Sequence, residues 1–409
     1  MFQRILAVLC MSISVFFVSG CAFGLSDPQP PPPSTKLEEV ESYVREVVRD
    51  GDPPSVSVAV MDHGQLVYDR AFGFSDGPRR VSAGPDTTYR WFSVTKLFTA
   101  VAILQLVEEG KVELGAPVGR YLPLVDGVFG AHARDLTIAR LLSHSSGLGD
   151  VGNDIFSWVH VAGPHPQELE ILRRHLAEHA DFEPSHIGQG HYSNLGYILL
   201  GGVIEAVTGQ PYTETITHKI LEPLGMANTA FYYDDRRFSP TTRHAVGSHP
   251  NDLMGFMASL SLDATVVREC KDQRYWFNGF HPNQSAPSGL VGTSADAVRF
   301  ASALLNGGER GGQRILSART VAAMTAPRAE VVESPAGKLE GFSFGYAWFI
   351  GRDPQGRRVL VHGGGGMAFT AMMMLWPDLD RAVFVAANGS YFDGAMGQRV
   401  AHAYGSLKW

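Results

Sequence analysis

Apolar and polar positions repeat with two different periods along this chain, and the two periods occupy different stretches. Near the start, residues 38–48 place apolar side chains at helical spacing, which predicts an amphipathic helix. Residues 55–60 then alternate as a strand does, 62–64 read as a turn, and 65–68 return as a second strand. The far end is strand-like again. Short β runs are expected at 342–350, 358–362, 370–376 and 382–387, separated by Gly, Asp or Pro, with a turn at 377–380 and a closing helix at 394–404. The middle carries the helical period, with helices expected at 93–109, 166–180, 196–208, 212–220 and 295–305.

Strands at both ends and helices between them predict an α+β fold. Its antiparallel sheet is built from the N- and C-terminal segments and flanked by helices, with a mostly helical region inserted at roughly 115–290. The folded domain is expected to span 37–409. Before it, Arg4 and an apolar run over 5–18 lead to Ser19, Gly20 and Cys21, the order of a signal peptide at 1–20. A Cys directly after Ser-Gly resembles the lipobox of bacterial lipoproteins, which makes Cys21 the lipidation site. The Pro-rich stretch that follows suits a semi-rigid tether over 21–36. That reading places the protein in the cell envelope, facing the periplasm and joined to the membrane through the lipid. Ala22 favours the outer membrane if the host is Gram-negative.

Composition narrows the function. Hydrophobic content of 44% and charged content of 18% belong to a globular chain. A net charge of −7 without a basic stripe argues against nucleic acid as a partner. Of three cysteines, Cys10 falls in the leader and Cys21 at the anchor, so Cys270 has no partner for a disulfide in the folded part and reads as a bystander.

Three polar groups carry candidate chemistry. Ser93, Val94, Thr95 and Lys96 form an S-x-x-K tetrad at the start of a strongly apolar helix. Ser93 and Lys96 share a helix face, burial favours a neutral amine, and the helix start offers N–H groups to a developing oxyanion. Tyr192, Ser193 and Asn194 sit in a loop running into the next helix. A phenol beside a lysine can serve as a general base, and an Asn amide can hold the lysine or a substrate carbonyl. His362 is followed by four glycines after an apolar strand, and their backbone can approach a ligand closely. Each piece alone also suits an ordinary surface helix, loop or turn.

Together with L-L-S-H-S-S-G-L over 141–148, N-L-G-Y-I-L-L-G over 194–201, E-P-L-G-M over 222–226 and S-G-L-V-G-T-S over 288–294, these groups give the chain a clear family likeness. It resembles the serine β-lactamase and penicillin-binding superfamily, nearest the class C β-lactamase, D-stereospecific peptidase and family VIII carboxylesterase group, over roughly residues 40–390. The resemblance implies a β-lactamase/transpeptidase-like fold, Ser93 as nucleophile, Lys96 and Tyr192 as the base pair, and Asn194 as a substrate contact. It also implies an oxyanion hole from the N–H groups of Ser93 and Gly365, with His362 and Gly364 beside it, and neither metal nor cofactor. Class C β-lactamases carry Lys-Thr-Gly where this chain has His362, Gly363 and Gly364. A neutral His gives a carboxylate no anchor. The expected activity is therefore hydrolysis of an ester, amide or lactam, from a small molecule or peptide, through an acyl-enzyme. An esterase or peptidase is favoured over a true β-lactamase or DD-carboxypeptidase. A β-lactam or muropeptide binder that does not turn over is the alternative.

Three further signals carry less. Gly341 to Gly345 spells G-x-S-x-G around Ser343, but a β-like stretch follows where a nucleophile elbow needs a helix. His175 and His179 have zinc spacing on a helix face that is otherwise solvated. Tyr275, Trp276, Phe277 and Phe280 suit a pocket wall or loop packing equally.

Overall fold

The computed structural model describes residues 36–49, 51, 53–149, 159–161, 165–233, 235–252, 255, 265–334, 340–390 and 394–409. The expected leader, Cys21 and nearly all of the tether lie outside them. Among the described residues no helix is long and apolar enough to cross a membrane.

A ten-stranded sheet organises the chain. Its strands are β1 (Ser55–Asp62), β2 (Gln65–Asp76), β3 (Val81–Ser82), β4 (Gly190–His191), β5 (Ala329–Glu333), β6 (Ser343–Phe344), β7 (Phe349–Arg352), β8 (Arg358–Gly366), β9 (Phe369–Trp376) and β10 (Arg381–Ala387). In space they run β3-β2-β1-β10-β9-β8-β7-β6-β5-β4. Neighbours pair antiparallel except β5 with β4, which is parallel. The N-terminal β1 thus lies against the C-terminal β10, as the distribution of strand signals predicts. The fold is α+β.

Among the described residues six longer helices accompany the sheet: α1 (Leu37–Arg49), α2 (Thr95–Glu108), α3 (Glu168–His179), α4 (Asn194–Thr208), α5 (Ser294–Leu305) and α6 (Gly394–Gly405). They explain why the alternation in β1 is not the half-exposed kind. Val56, Val58 and Val60 join one apolar cluster with Val40 and Val44 of α1 and Val400 and Tyr404 of α6. Ala59 and Met61, on the other face, join a second cluster with α2 and α5. Both faces are covered, so all eight residues of β1 are buried. Alternation here sorts side chains between two cores, each excluding water.

The expected run over 342–350 resolves into two strands. β6 and β7 form a hairpin in which Ser343 faces Ile350, and the Gly345 N–H closes the turn on the Trp348 carbonyl at 2.7 Å. Strand β8, expected to stop at 362, continues through the glycines because β9 pairs with it as far as Gly366 opposite Phe369. The segment 115–290 holds α3 and α4 but also short strands, among them Thr229–Ala230, which pairs with Val291–Gly292, and Arg243–His244, which pairs with Thr87–Thr88. Gly201 and Gly202 in α4 permit a close approach of neighbouring elements. A Cβ on Gly201 would meet Ala286 at 2.6 Å, and one on Gly202 would meet Leu172 of α3 at 2.5 Å.

Candidate active site

Helix α2 is apolar on every side, and eleven of its fourteen residues are buried. Phe98 stacks on Phe300 of α5 at 3.9 Å, which seats the helix between the sheet and the helical region. A helix without a polar face has no register relative to solvent, so its one cation goes inside with it. Lys96 is fully buried. Ser93 does not belong to the α-helix proper. It sits in a 3₁₀ turn, Phe92–Val94, that precedes Thr95. Phe92 has φ +43°, a left-handed conformation that non-glycine residues rarely hold without surrounding support.

That support comes from β8. Beyond the Phe349–Val361 pair, β8 has no β7 partner, so the half from His362 to Gly366 has one free edge. The 3₁₀ turn packs there. A Cβ on Gly364 would lie 2.0 Å from the Trp91 carbonyl oxygen and 3.1 Å from the Ser93 nitrogen, and one on Gly366 would strike the Phe92 ring at 2.6 Å. Gly365, between them, faces open space. The glycine run is a bed for the Ser93 turn, which places the backbones of Ser93 and Gly364–Gly365 side by side.

Lys96 draws polar groups from three parts of the chain together. Its Nζ lies 3.0 Å from Ser93 Oγ, donates to Asn194 Oδ1 at 2.7 Å and donates to the Pro287 carbonyl at 3.0 Å. Asn194 reaches it because Ser193, not Asn194, caps α4. The Ser193 hydroxyl accepts from the Gly196 N–H at 3.2 Å, which leaves the Asn194 amide for Lys96. Pro287 is delivered by Glu168. One carboxylate oxygen of Glu168 accepts from the Ala286 N–H at 2.8 Å and from the Ser285 N–H. Burial, with Glu205 nearby, pushes the Glu168 carboxyl up to about 8.

Tyr192 is buried and also lies against the amine. Its ring centroid lies 5.0 Å from Lys96 Nζ, in cation–π range. His144 stacks on that ring at 4.4 Å, and Phe349 and His362 flank it at 6.2 and 6.4 Å. His362 is fully buried and uses Nδ1 on the Ala347 carbonyl. Burial, then Lys96, pushes it down to about 3, so it contributes no charge to the site at neutral pH.

Ser93, Lys96, Tyr192, Asn194, His362, Gly364 and Gly365 therefore meet at one place. Pro287 and His144 were missed. A backbone acceptor such as Pro287 leaves no mark on sequence, whereas His144 stood inside the 141–148 run without an assigned role. Ser343 lies in β6 and is followed by a turn and a strand, so it has no elbow. His175 lies 3.8 Å from Glu178. Among the described residues no His, Cys, Asp and Glu cluster can hold a metal. Trp276 packs over Gly77, where a Cβ would meet it at 2.4 Å, and Phe280 lies 5.0 Å from the Arg90 guanidinium. Cys270 is exposed.

Comparison with known proteins places the chain among relatives of similar sequence and fold. The family profile described as Beta-lactamase matches residues 40–405. Esterase EstB of Burkholderia gladioli is 29% identical over 343 residues, covering 72% of this chain and 81% of that protein. Protein flp of Staphylococcus aureus strain MRSA252 is 29% identical over 200 residues, 49% of this chain, and the match spans only 39% of that protein's length. The octameric penicillin-binding protein homologue from Pyrococcus abyssi superposes with a TM-score of 0.70 at 26% identity, covering 90% of this chain and 76% of that one. The D-amino acid amidase of Ochrobactrum anthropi SV3 gives a TM-score of 0.71 at 23% identity over 90% of this chain and 97% of its own, a likeness of fold.

Proposed function

Because the chain belongs to the Beta-lactamase family, we propose that it is a serine hydrolase that cleaves ester or amide carbonyls through an acyl-enzyme at Ser93. The observation that carries this is the surroundings of the Lys96 amine. Two of its partners, the Asn194 and Pro287 oxygens, can only accept. A neutral amine has two hydrogens, and those oxygens take both. Ser93 Oγ lies 3.0 Å from the same nitrogen, within reach for its hydroxyl proton to pass to the amine.

The steps follow. Ser93 Oγ forms a bond to the carbonyl carbon as its proton passes to Lys96, and the carbonyl oxygen takes up negative charge. The N–H groups of Ser93 and Gly365 stabilise that charge. The tetrahedral intermediate collapses with loss of the leaving group, which receives a proton through Tyr192. Water then repeats the sequence on the acyl-serine, with Tyr192 and Lys96 drawing off its proton, and releases the acid. No step calls for a metal or cofactor.

The neutral His362 supports an uncharged substrate. It stands where class C β-lactamases place a lysine, and a penicillin carboxylate would find no cation in it. The similarity to an esterase points the same way. Hydrolysis of p-nitrophenyl esters, lost in Lys96→Ala and strongly reduced in Tyr192→Phe, is the expected result. A stable adduct with no turnover would identify a binding protein instead. We further propose that Cys21 carries a lipid and ties the protein to the cell envelope, on the strength of the sequence around it. Metabolic labelling with a palmitate analogue tests this, and labelling that persists in Cys21→Ala would refute it.

A further inference from the structure

His144 is a buried polar side chain against Tyr192 that the mechanism above leaves unused. It sits just past the short helix Ile138–Leu142, with φ +51°. Its backbone carbonyl accepts from the His191 N–H at 2.8 Å. Its Nδ1 accepts from the Ser193 N–H at 3.1 Å. Its ring stacks on Tyr192 at 4.4 Å and 22°. One residue thus holds the N–H groups immediately before and after Tyr192 and supports the phenol ring between them. Tyr197 and Phe344 close the imidazole in, at 5.0 and 4.9 Å.

The Ser193 bond also fixes the tautomer, because an acceptor Nδ1 leaves the hydrogen on Nε2. Burial, then Lys96 and His362, hold this imidazole well below the usual histidine range. A charged ring in this position would carry a hydrogen on Nδ1 and lose its bond to the Ser193 N–H. The grip works only in the neutral state.

We propose that His144 is a positioning residue that fixes Tyr192 for proton transfer at Ser93 and Lys96. The inference rests on the role given to Tyr192 above. The nearby purely structural explanation, a core histidine filling space, accounts for the ring contacts. It does not require that the residue hold both flanking N–H groups of a residue placed against the lysine.

The test is a double-mutant cycle between His144→Asn and Tyr192→Phe, read as kcat and KM on a p-nitrophenyl ester with a thermal melt of each protein. Asn tolerates a left-handed backbone and keeps a side-chain acceptor, so it removes the ring support at little conformational cost. A misplacement of about 1 Å costs on the order of a hundredfold in rate, so kcat should fall about 10- to 100-fold with KM nearly unchanged. In the Tyr192→Phe background the same substitution should have no further effect on kcat. His144→Phe, which keeps a ring but loses the Nδ1 acceptor, should fall between His144→Asn and wild type. An impaired Tyr192→Phe that loses a further 10-fold or more with His144→Asn, or a His144→Asn protein that loses melting temperature but not kcat, overturns the inference alone. Full activity in Tyr192→Phe overturns both the inference and the role of Tyr192.

Discussion

Gly364→Ala isolates the contact on which the geometry of the nucleophile depends. The added Cβ would stand 2.0 Å from the Trp91 carbonyl oxygen, where an ordinary contact needs 3.4 Å or more. The obstacle is backbone, so no side chain can swing aside. The 3₁₀ turn carrying Ser93 and strand β8 must separate by about 1.4 Å to restore an ordinary contact. Overpacking of this kind costs about 1–3 kcal/mol of stability. The larger effect is expected on catalysis, because the two backbones that part are those proposed to face a developing oxyanion. A displacement of about 1 Å lowers rates on the order of a hundredfold, equivalent to about 2.7 kcal/mol of transition-state stabilisation. Gly365→Ala is the matched control, since its Cβ enters open space and keeps the N–H. Steady-state hydrolysis of p-nitrophenyl butyrate, with thermal melts to confirm folding, should show kcat/KM down about a hundredfold or more for Gly364→Ala. For Gly365→Ala the loss should be less than about fivefold. Gly364→Ala within threefold of wild type, or equal losses in the two variants, would refute the reasoning.

Asn194→Leu removes the 2.7 Å acceptor of a buried amine, so chemical denaturation should show a loss of about 1.5–3 kcal/mol together with reduced activity. His362 is held near 3 in the fold against an ordinary 6.5. The unfolded chain therefore binds a proton that the native state refuses, and stability should fall as pH drops from about 6.5 towards 3, with a shallower fall in His362→Gln. Glu168 has the opposite sign, since its carboxyl keeps its proton up to about 8 in the fold against an ordinary 4.5. Melting temperature should decline as pH rises from 5 to 8, and Glu168→Gln, which keeps an oxygen for the Ser285 and Ala286 N–H groups, should flatten that decline.

The parts of the site set by local spacing were legible in the sequence. Ser93 and Lys96 are three residues apart on one helical path, and that spacing alone places the amine by the hydroxyl. The strands at either end were legible for the same reason, since a period of two survives whether the faces meet solvent or two cores. Contacts set by tertiary packing were not. Lys96 meets Asn194 across 98 positions and Pro287 across 191. The Pro287 contact is made by a carbonyl that every residue possesses. The length of β8 was hidden because glycine has little strand preference of its own. Only the partner strand β9 shows that pairing continues through it. His144 was hidden differently. Its letters belonged to a familiar run, but its left-handed backbone and its reach to Ser193 exist only in the fold.

Covalent trapping shows whether Ser93 is the nucleophile. The folded protein is treated with a fluorophosphonate probe, digested and mapped by tandem mass spectrometry. If Ser93 forms the acyl-enzyme, a single adduct appears on the peptide containing Ser93, absent from Ser93→Ala and formed much more slowly in Lys96→Ala. An adduct that survives Ser93→Ala, or no adduct on a protein that hydrolyses esters, would contradict it.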